Sequence, residues 1–205
     1  MASTRHVLGS VVLALVSFGA VSASGQTMPL PRVVVVTKLR SPDFVMRKSG
    51  LLSGQKQVVP LVDYDFAAAL TAEVVGVLSE NKRATWRVAT TEEEPLLSPA
   101  FTGKDIPGLP ESVAADRVLA IYVVEYGGWS YPMHGKKFIL SATILYYERA
   151  SGRKRWVKGY YERIDMRGSL EKAEEDSQKG MKEALNKLIE KFAEKVGKHV
   201  ANADL

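Results

Sequence analysis

Residues 32–38 (RVVVVTK) place four valines in a row. β-Branched side chains disfavour helix and suit a pleated surface, and an unbroken apolar run predicts a strand covered on both faces. Residues 39–62 keep no rhythm and are punctuated by Pro42, Gly50, Gly54 and Pro60. They predict a long connection holding at most a short strand near Gln57 to Val59. From Tyr64 to Asn81 the apolar positions return at helical spacing, with Phe66, Leu70, Val74 and Val77 on one stripe. Asp63 is placed to cap this helix and Asp65 to complement its dipole. Gly76 within it is expected where a neighbouring strand comes close. Thr85 to Thr90 (TWRVAT) reads as a second strand, parallel to the first through a right-handed crossover.

Residues 91–115 form a second long connection without periodicity, containing prolines 95, 99, 107 and 110 and the triplet Glu92-Glu93-Glu94. A solvated loop of like charges is the expected form. Beyond Asp116 the rhythm changes to a meander. Arg117 to Tyr126 is a strand, as is Lys137 to Glu148, where Phe138, Leu140, Ala142, Ile144 and Tyr146 share one face. The turn Ala150-Ser151-Gly152 leads into a further strand from Lys154 to Ile164, and short connections predict antiparallel pairing. The last element is a helix from about Ser169 to His199, with Leu170, Ala173, Met181, Leu185, Leu188, Phe192 and Val196 as its apolar stripe. Acids crowd its first turns and bases its last. Glu175–Lys179, Glu183–Lys187 and Glu194–Lys198 are spaced to pair along it. The stripe is no wider than one sheet-packing face needs, which favours packing at home over a coiled-coil arm. The predicted fold class is α+β, a two-layer mixed β-sheet with two helices on one face in the order β-α-β-β-β-α.

The amino-terminal residues lie outside this pattern. Arg5 and His6 precede 15 uncharged residues, Val7 to Val21, and Val21-Ser22-Ala23 then meets the small-x-small rule of a signal-peptidase site. Gly9, Ser10, Ser17 and Gly19 dilute the run, which is short of the roughly 20 residues a spanning helix needs. The expected organisation is a leader over 1–23, a linker over 24–31, one domain over 32–200 and a tail over 201–205. Removing the leader takes away Arg5 alone among its charges and lowers the formal net charge from +5 to +4. What remains is long enough to bury a single core without staples. The chain has no cysteine, so neither disulfides nor a cysteine-borne lipid are available to it. A soluble periplasmic or secreted protein is expected, with no stable membrane anchor after cleavage. The basic excess is spread along the chain and does not call for nucleic acid.

Candidate chemistry is sparse. With His134 and His199 the only histidines after the leader, no metal-ligand spacing arises. Ser130 and His134 share a segment, but no elbow presents the serine as a nucleophile. His134-Gly135-Lys136-Lys137 fails as a phosphate loop. Ser130 stands where glycine is required, and Lys137 where serine or threonine is required. No catalytic residue, metal or cofactor is expected. Two binding surfaces are. Gly127 to Lys137 (GGWSYPMHGKK), read as a hairpin tip, gathers Trp129, Tyr131, His134, Lys136 and Lys137 in a form suited to contacting a partner protein. The same aromatics could instead fold back onto the sheet. On the last strand Trp156, Lys158 and Tyr160 alternate onto one face near Arg153 and Arg155, a combination suited to an anionic glycan or lipid. Cross-strand aromatic packing would also account for it.

Four features together resemble a family of small periplasmic α+β domains. They are Arg32-Val33-Val34-Val35-Val36 as opening strand, Ala115-Asp116-Arg117-Val118-Leu119 entering the meander, Ser151-Gly152-Arg153-Lys154-Arg155-Trp156 at a hairpin turn, and the closing amphipathic helix. The family is that of the TolB amino-terminal domain and of outer-membrane lipoproteins that activate peptidoglycan synthases. The likeness covers residues 32–38, 64–90 and 115–197. It departs in the missing lipid-bearing cysteine and in the lack of a β-propeller before Leu205. The resemblance implies a non-catalytic adaptor whose partner is another cell-envelope protein.

Overall fold

A computed structural model of the chain describes residues 29–48, 55–105, 109–131, 135–166 and 177–203. The elements in chain order are β1 (Arg32–Leu39), β2 (Phe44–Lys48), β3 (Gln55–Val59), α1 (Phe66–Glu80), β4 (Thr85–Val88), α2 (Glu94–Leu97), a 3-10 turn (Ser98–Thr102), β5 (Arg117–Tyr131), β6 (Gly135–Glu148), β7 (Lys154–Met166) and α3 (Ser177–Asn202). The strands form one seven-stranded mixed sheet, with α1 and α3 together on one of its faces. The α+β class and the two helices on a common face are as the periodicity predicts.

The long strand β5 organises the sheet. Its full length pairs antiparallel with β6, and β7 follows outside β6. Its other edge is shared by two parallel strands. β1 runs beside Arg117 to Val123, and β2 beside Gly127 to Ser130. The register of β5 shifts between Val123 and Glu125, at the place where the chain leaves the sheet after Leu39 and returns at Phe44. The Tyr126 hydroxyl donates to the Pro42 carbonyl and ties that excursion down. β4 lies parallel outside β1, and β3 antiparallel outside β2.

β2 and β3 occupy the stretch that the sequence presents as a connection. Only the end of β3 coincides with the expected short strand. Gly127 makes the arrangement work: a Cβ on Gly127 would stand 2.5 Å from the Val45 carbonyl oxygen, and one on Gly128 2.3 Å from Met46 Sδ. The first contact is with backbone that cannot give way, so β2 packs at this distance only against glycine at position 127, whereas the Met46 side chain can move aside at position 128.

The helix face carries the larger core. Val33 and Val35 of β1, Leu119 and Ile121 of β5, and Phe138, Leu140 and Ile144 of β6 meet Phe66, Leu70, Val74 and Leu78 of α1. Met181, Leu185, Leu188, Phe192 and Val196 of α3 complete it, as the stripe predicts, while Leu170 and Ala173 lie outside the described residues. Helix α1 begins two residues later than predicted. Asp65, not Asp63, is its cap, with a carboxylate oxygen accepting the Ala68 N–H at 2.9 Å. Asp63 instead sits in a left-handed conformation with φ +51°. The expectation for Gly76 also changes, because a Cβ there would meet nothing within 4 Å. The close approach belongs to Gly197 of α3, where a Cβ would stand 2.6 Å from Val77 Cγ1 of α1.

Val34 and Val36 point to the opposite face, as the four-valine run requires. There the second connection supplies the cover: Leu97, Ala100, Leu109, Val113 and Ala115 bury against Val118, Ala120, Leu145 and Tyr147. The acidic triplet is therefore not a uniformly solvated loop. Glu93 is buried and meets the Arg87 guanidinium in a two-pronged ion pair, each contact at 2.6 Å, and it also accepts the Thr90 N–H at 3.0 Å. This anchors the segment to the end of β4.

Candidate functional site

The predicted hairpin tip is mostly strand. β5 continues to Tyr131 and β6 begins at Gly135, so Trp129 and Lys137 face one another in register. Residues 132–134, including His134, lie outside the described residues, as do the side chains of Ser130, Tyr131 and Lys136. From the sequence the strand is expected to end at Tyr126, with Gly127-Gly128 opening the hairpin tip. In the fold Gly127 admits β2 and the strand runs on.

Alternation along β2, β5 and β6 sets the direction of the side chains here. Phe44, Met46, Tyr126 and Phe138 enter the core beneath the helices. Val45, Arg47, Trp129 and Lys137 therefore lie on the other face. The covering residues Ala89, Leu97, Ala100, Leu109, Val113 and Ala115 bury against Val118, Ala120, Leu145 and Tyr147, at the far end of the β5–β6 ladder from Trp129. Trp129 is half-buried, with the Arg47 guanidinium 5.0 Å from its ring centre. Arg47 also pairs with Glu125 at 2.6 Å. Val58, in register with Val45, and Tyr161, in register with Ser141, are exposed on this same face. Next to it, where β1 gives way to β2, a cleft of about 340 Å³ is lined by Arg40, Asp43, Arg47, Glu125 and Tyr126. Arg47, Val58 and Tyr161 were not singled out from the sequence. Arg47 and Val58 belong to strands hidden in an aperiodic stretch, and Tyr161 alternates with Tyr160 in a strand whose faces the sequence does not label.

The basic-aromatic strand divides. Trp156 turns toward α3, its ring 5.5 Å from Tyr146 and edge-on to His199 at 5.2 Å. Tyr160 is buried and edge-on to Phe192 at 5.5 Å. This is the cross-strand and sheet-to-helix packing that the aromatic alternation also allowed. Burial pushes the Tyr160 phenol up to about 12. Arg155 is spent on Glu148 at 2.8 Å beside the turn, and Arg153 is exposed there. Lys158 stays exposed on the strand and helps line a groove of about 300 Å³ between β7 and α3. Across the groove stand Lys195, Lys198, His199 and Asn202. The α3 residues read in sequence as partners of the helix dipole; only tertiary packing brings them opposite Lys158. Two polar atoms beneath this region, Trp156 Nε1 and the Tyr160 hydroxyl, are buried with no hydrogen-bond partner among the described residues. Such groups cost about 1–3 kcal/mol each.

Among the described residues no three His, Cys, Asp or Glu side chains cluster as metal ligands, and no helix is long and apolar enough to cross a membrane.

No family model matches the chain, and no curated protein matches it. Solved structures do share its architecture. A DUF330 protein of Xanthomonas campestris superposes with a TM-score of 0.56 at 10% identity, over 83% of this chain and 82% of that one. An uncharacterized protein gives 0.51 at 12% identity, over 84% and 94%. A hypothetical protein of Chlamydia trachomatis gives 0.50 at 11% identity, over 85% and 99%. At such identities the likeness is one of fold, and the class so defined is an α+β fold found in bacterial proteins.

Proposed function

We propose that this chain is an exported cell-envelope protein that acts by binding a second envelope protein and performs no catalysis. Export rests on the leader-like residues 1–23, and the adaptor role on the family resemblance carried by β1, the meander and α3. The observation that carries the binding surface is Trp129 held under Arg47 on the sheet face opposite the helices. A large amphipathic ring fixed by strand pairing and a stacked guanidinium presents contact area at little cost in side-chain entropy. Exposed Val58 and Tyr161 extend that area on the same face.

The test is in-cell crosslinking through a photoreactive residue at Tyr161, with the recovered chain weighed to establish that it begins at Ser24. A discrete crosslinked partner is expected, and it should be lost in Trp129→Ala/Tyr131→Ala while circular dichroism stays native. Undiminished crosslinking by that folded double variant would remove this face from consideration. Recovery of a chain retaining Met1 would remove export.

A further inference from the structure

We propose that the groove between β7 and the C-terminal half of α3 binds a phosphate-bearing ligand. It lies between β7 and α3, away from Trp129; Tyr161, at the rim of the proposed partner face, lines it too, but its test turns on Lys158 and Lys198, which the adaptor reading does not use.

The argument begins with charge. Lys158 enters from the strand, and Lys195, Lys198 and His199 from the helix. The acids nearby are already engaged. Glu162 of β7 pairs with Lys195, and Glu194 approaches Lys198 at 3.9 Å. Lys158 has no ion pair among the described residues, so cations arriving from two elements outnumber the acids that answer them. Donors converging from different directions suit a compact, multiply charged, tetrahedral anion better than a flat carboxylate, which a single planar fork serves best.

The wall of the groove adds a second, independent observation. Tyr160 lines it, only 7% exposed, and its hydroxyl has no partner among the described residues. A buried donor lacking an acceptor beside a cationic groove is one that a ligand reaching the wall would satisfy. His199 is held edge-on to both Trp156 and Tyr160, which fixes its ring at the groove. Asn202 donates to the Lys198 carbonyl at 2.8 Å, leaving its side-chain oxygen as acceptor for a protonated phosphate oxygen or a ligand hydroxyl.

The experiment titrates the full chain with inorganic phosphate in low-salt buffer and follows backbone amide shifts. In parallel, phosphatidylglycerol vesicles are compared with phosphatidylcholine vesicles by co-sedimentation. Saturable shifts confined to Lys158–Tyr161 and Lys195–Asn202 are expected. Lys158→Glu/Lys198→Glu, which alters two exposed side chains, should keep the native spectrum and weaken binding at least about tenfold. Added salt should weaken it too. Tyr160→Phe should lower affinity about threefold or more without moving the salt dependence. Response to inorganic phosphate assigns the site to a small phosphate or phosphomonoester. Response to phosphatidylglycerol vesicles alone assigns it to a lipid headgroup. Shifts located elsewhere, no saturable response in either arm, or binding that survives Lys158→Glu/Lys198→Glu would overturn the proposal.

Discussion

Replacing Glu93 with glutamine isolates one buried charge with little change in shape. The Glu93 carboxylate accepts two Arg87 hydrogen bonds at 2.6 Å and the Thr90 N–H at 3.0 Å. The Arg87 guanidinium is the main reason its carboxyl titrates at about 2 rather than 4.5. Each unit of that depression is worth about 1.4 kcal/mol, so the upper bound is about 3 kcal/mol. Arg87 is 33% exposed, and solvent screening brings the expectation to about 2 kcal/mol. The folded-state value lies below the unfolded one. The contribution is therefore complete above the unfolded value and drains away as pH falls through the folded value.

Glu93→Gln should accordingly cost about 2 kcal/mol near neutral pH, or about 4–8 °C in Tm for a chain of this size. The two proteins should converge as the pH approaches about 2. Urea unfolding followed by tryptophan fluorescence across that range reads the difference directly. Asp116 and Glu148, lowered by Arg32 and Arg155, are present in both proteins and cancel. A gap of the same size at both ends of the range, or none at neutral pH, would refute the reasoning.

Gly127→Ala should break the β2–β5 ladder, since its Cβ would lie 2.5 Å from the Val45 carbonyl oxygen; a loss of about 1–3 kcal/mol is expected. Hydrogen exchange should show protection lost in β2 and β3 first, and uniform loss across the sheet would contradict that placement. Leu97→Ala tests the second core. A fully buried leucine should cost about 2–5 kcal/mol by urea unfolding, whereas a neutral result would return residues 91–115 to the status of a solvated loop.

Periodicity determined a good deal by itself. The valine run marks a strand covered on both faces, α1 and α3 show stripes that become the core, and the meander follows from alternation and a short turn. Each of these is a local pattern whose meaning does not depend on a distant partner. Tertiary structure decided the rest. β2 and β3 carry no apolar alternation strong enough to announce them, and β2 fits beside β5 because Gly127 leaves room for the Val45 backbone. Residues 91–115 look like a loop because their buried side chains, Leu97, Ala100, Leu109, Val113 and Ala115, follow no helical or strand period. They are inside only because one end of the sheet offers Val118 and Ala120 to cover. The same holds at the surfaces. Trp129 gained Arg47 from a strand the pattern did not reveal, and Lys158 came to face Lys195 and Lys198 across a gap in sequence that only folding closes. Spacing encodes which residues share a face of one element, while which faces meet depends on shape and room across the whole chain.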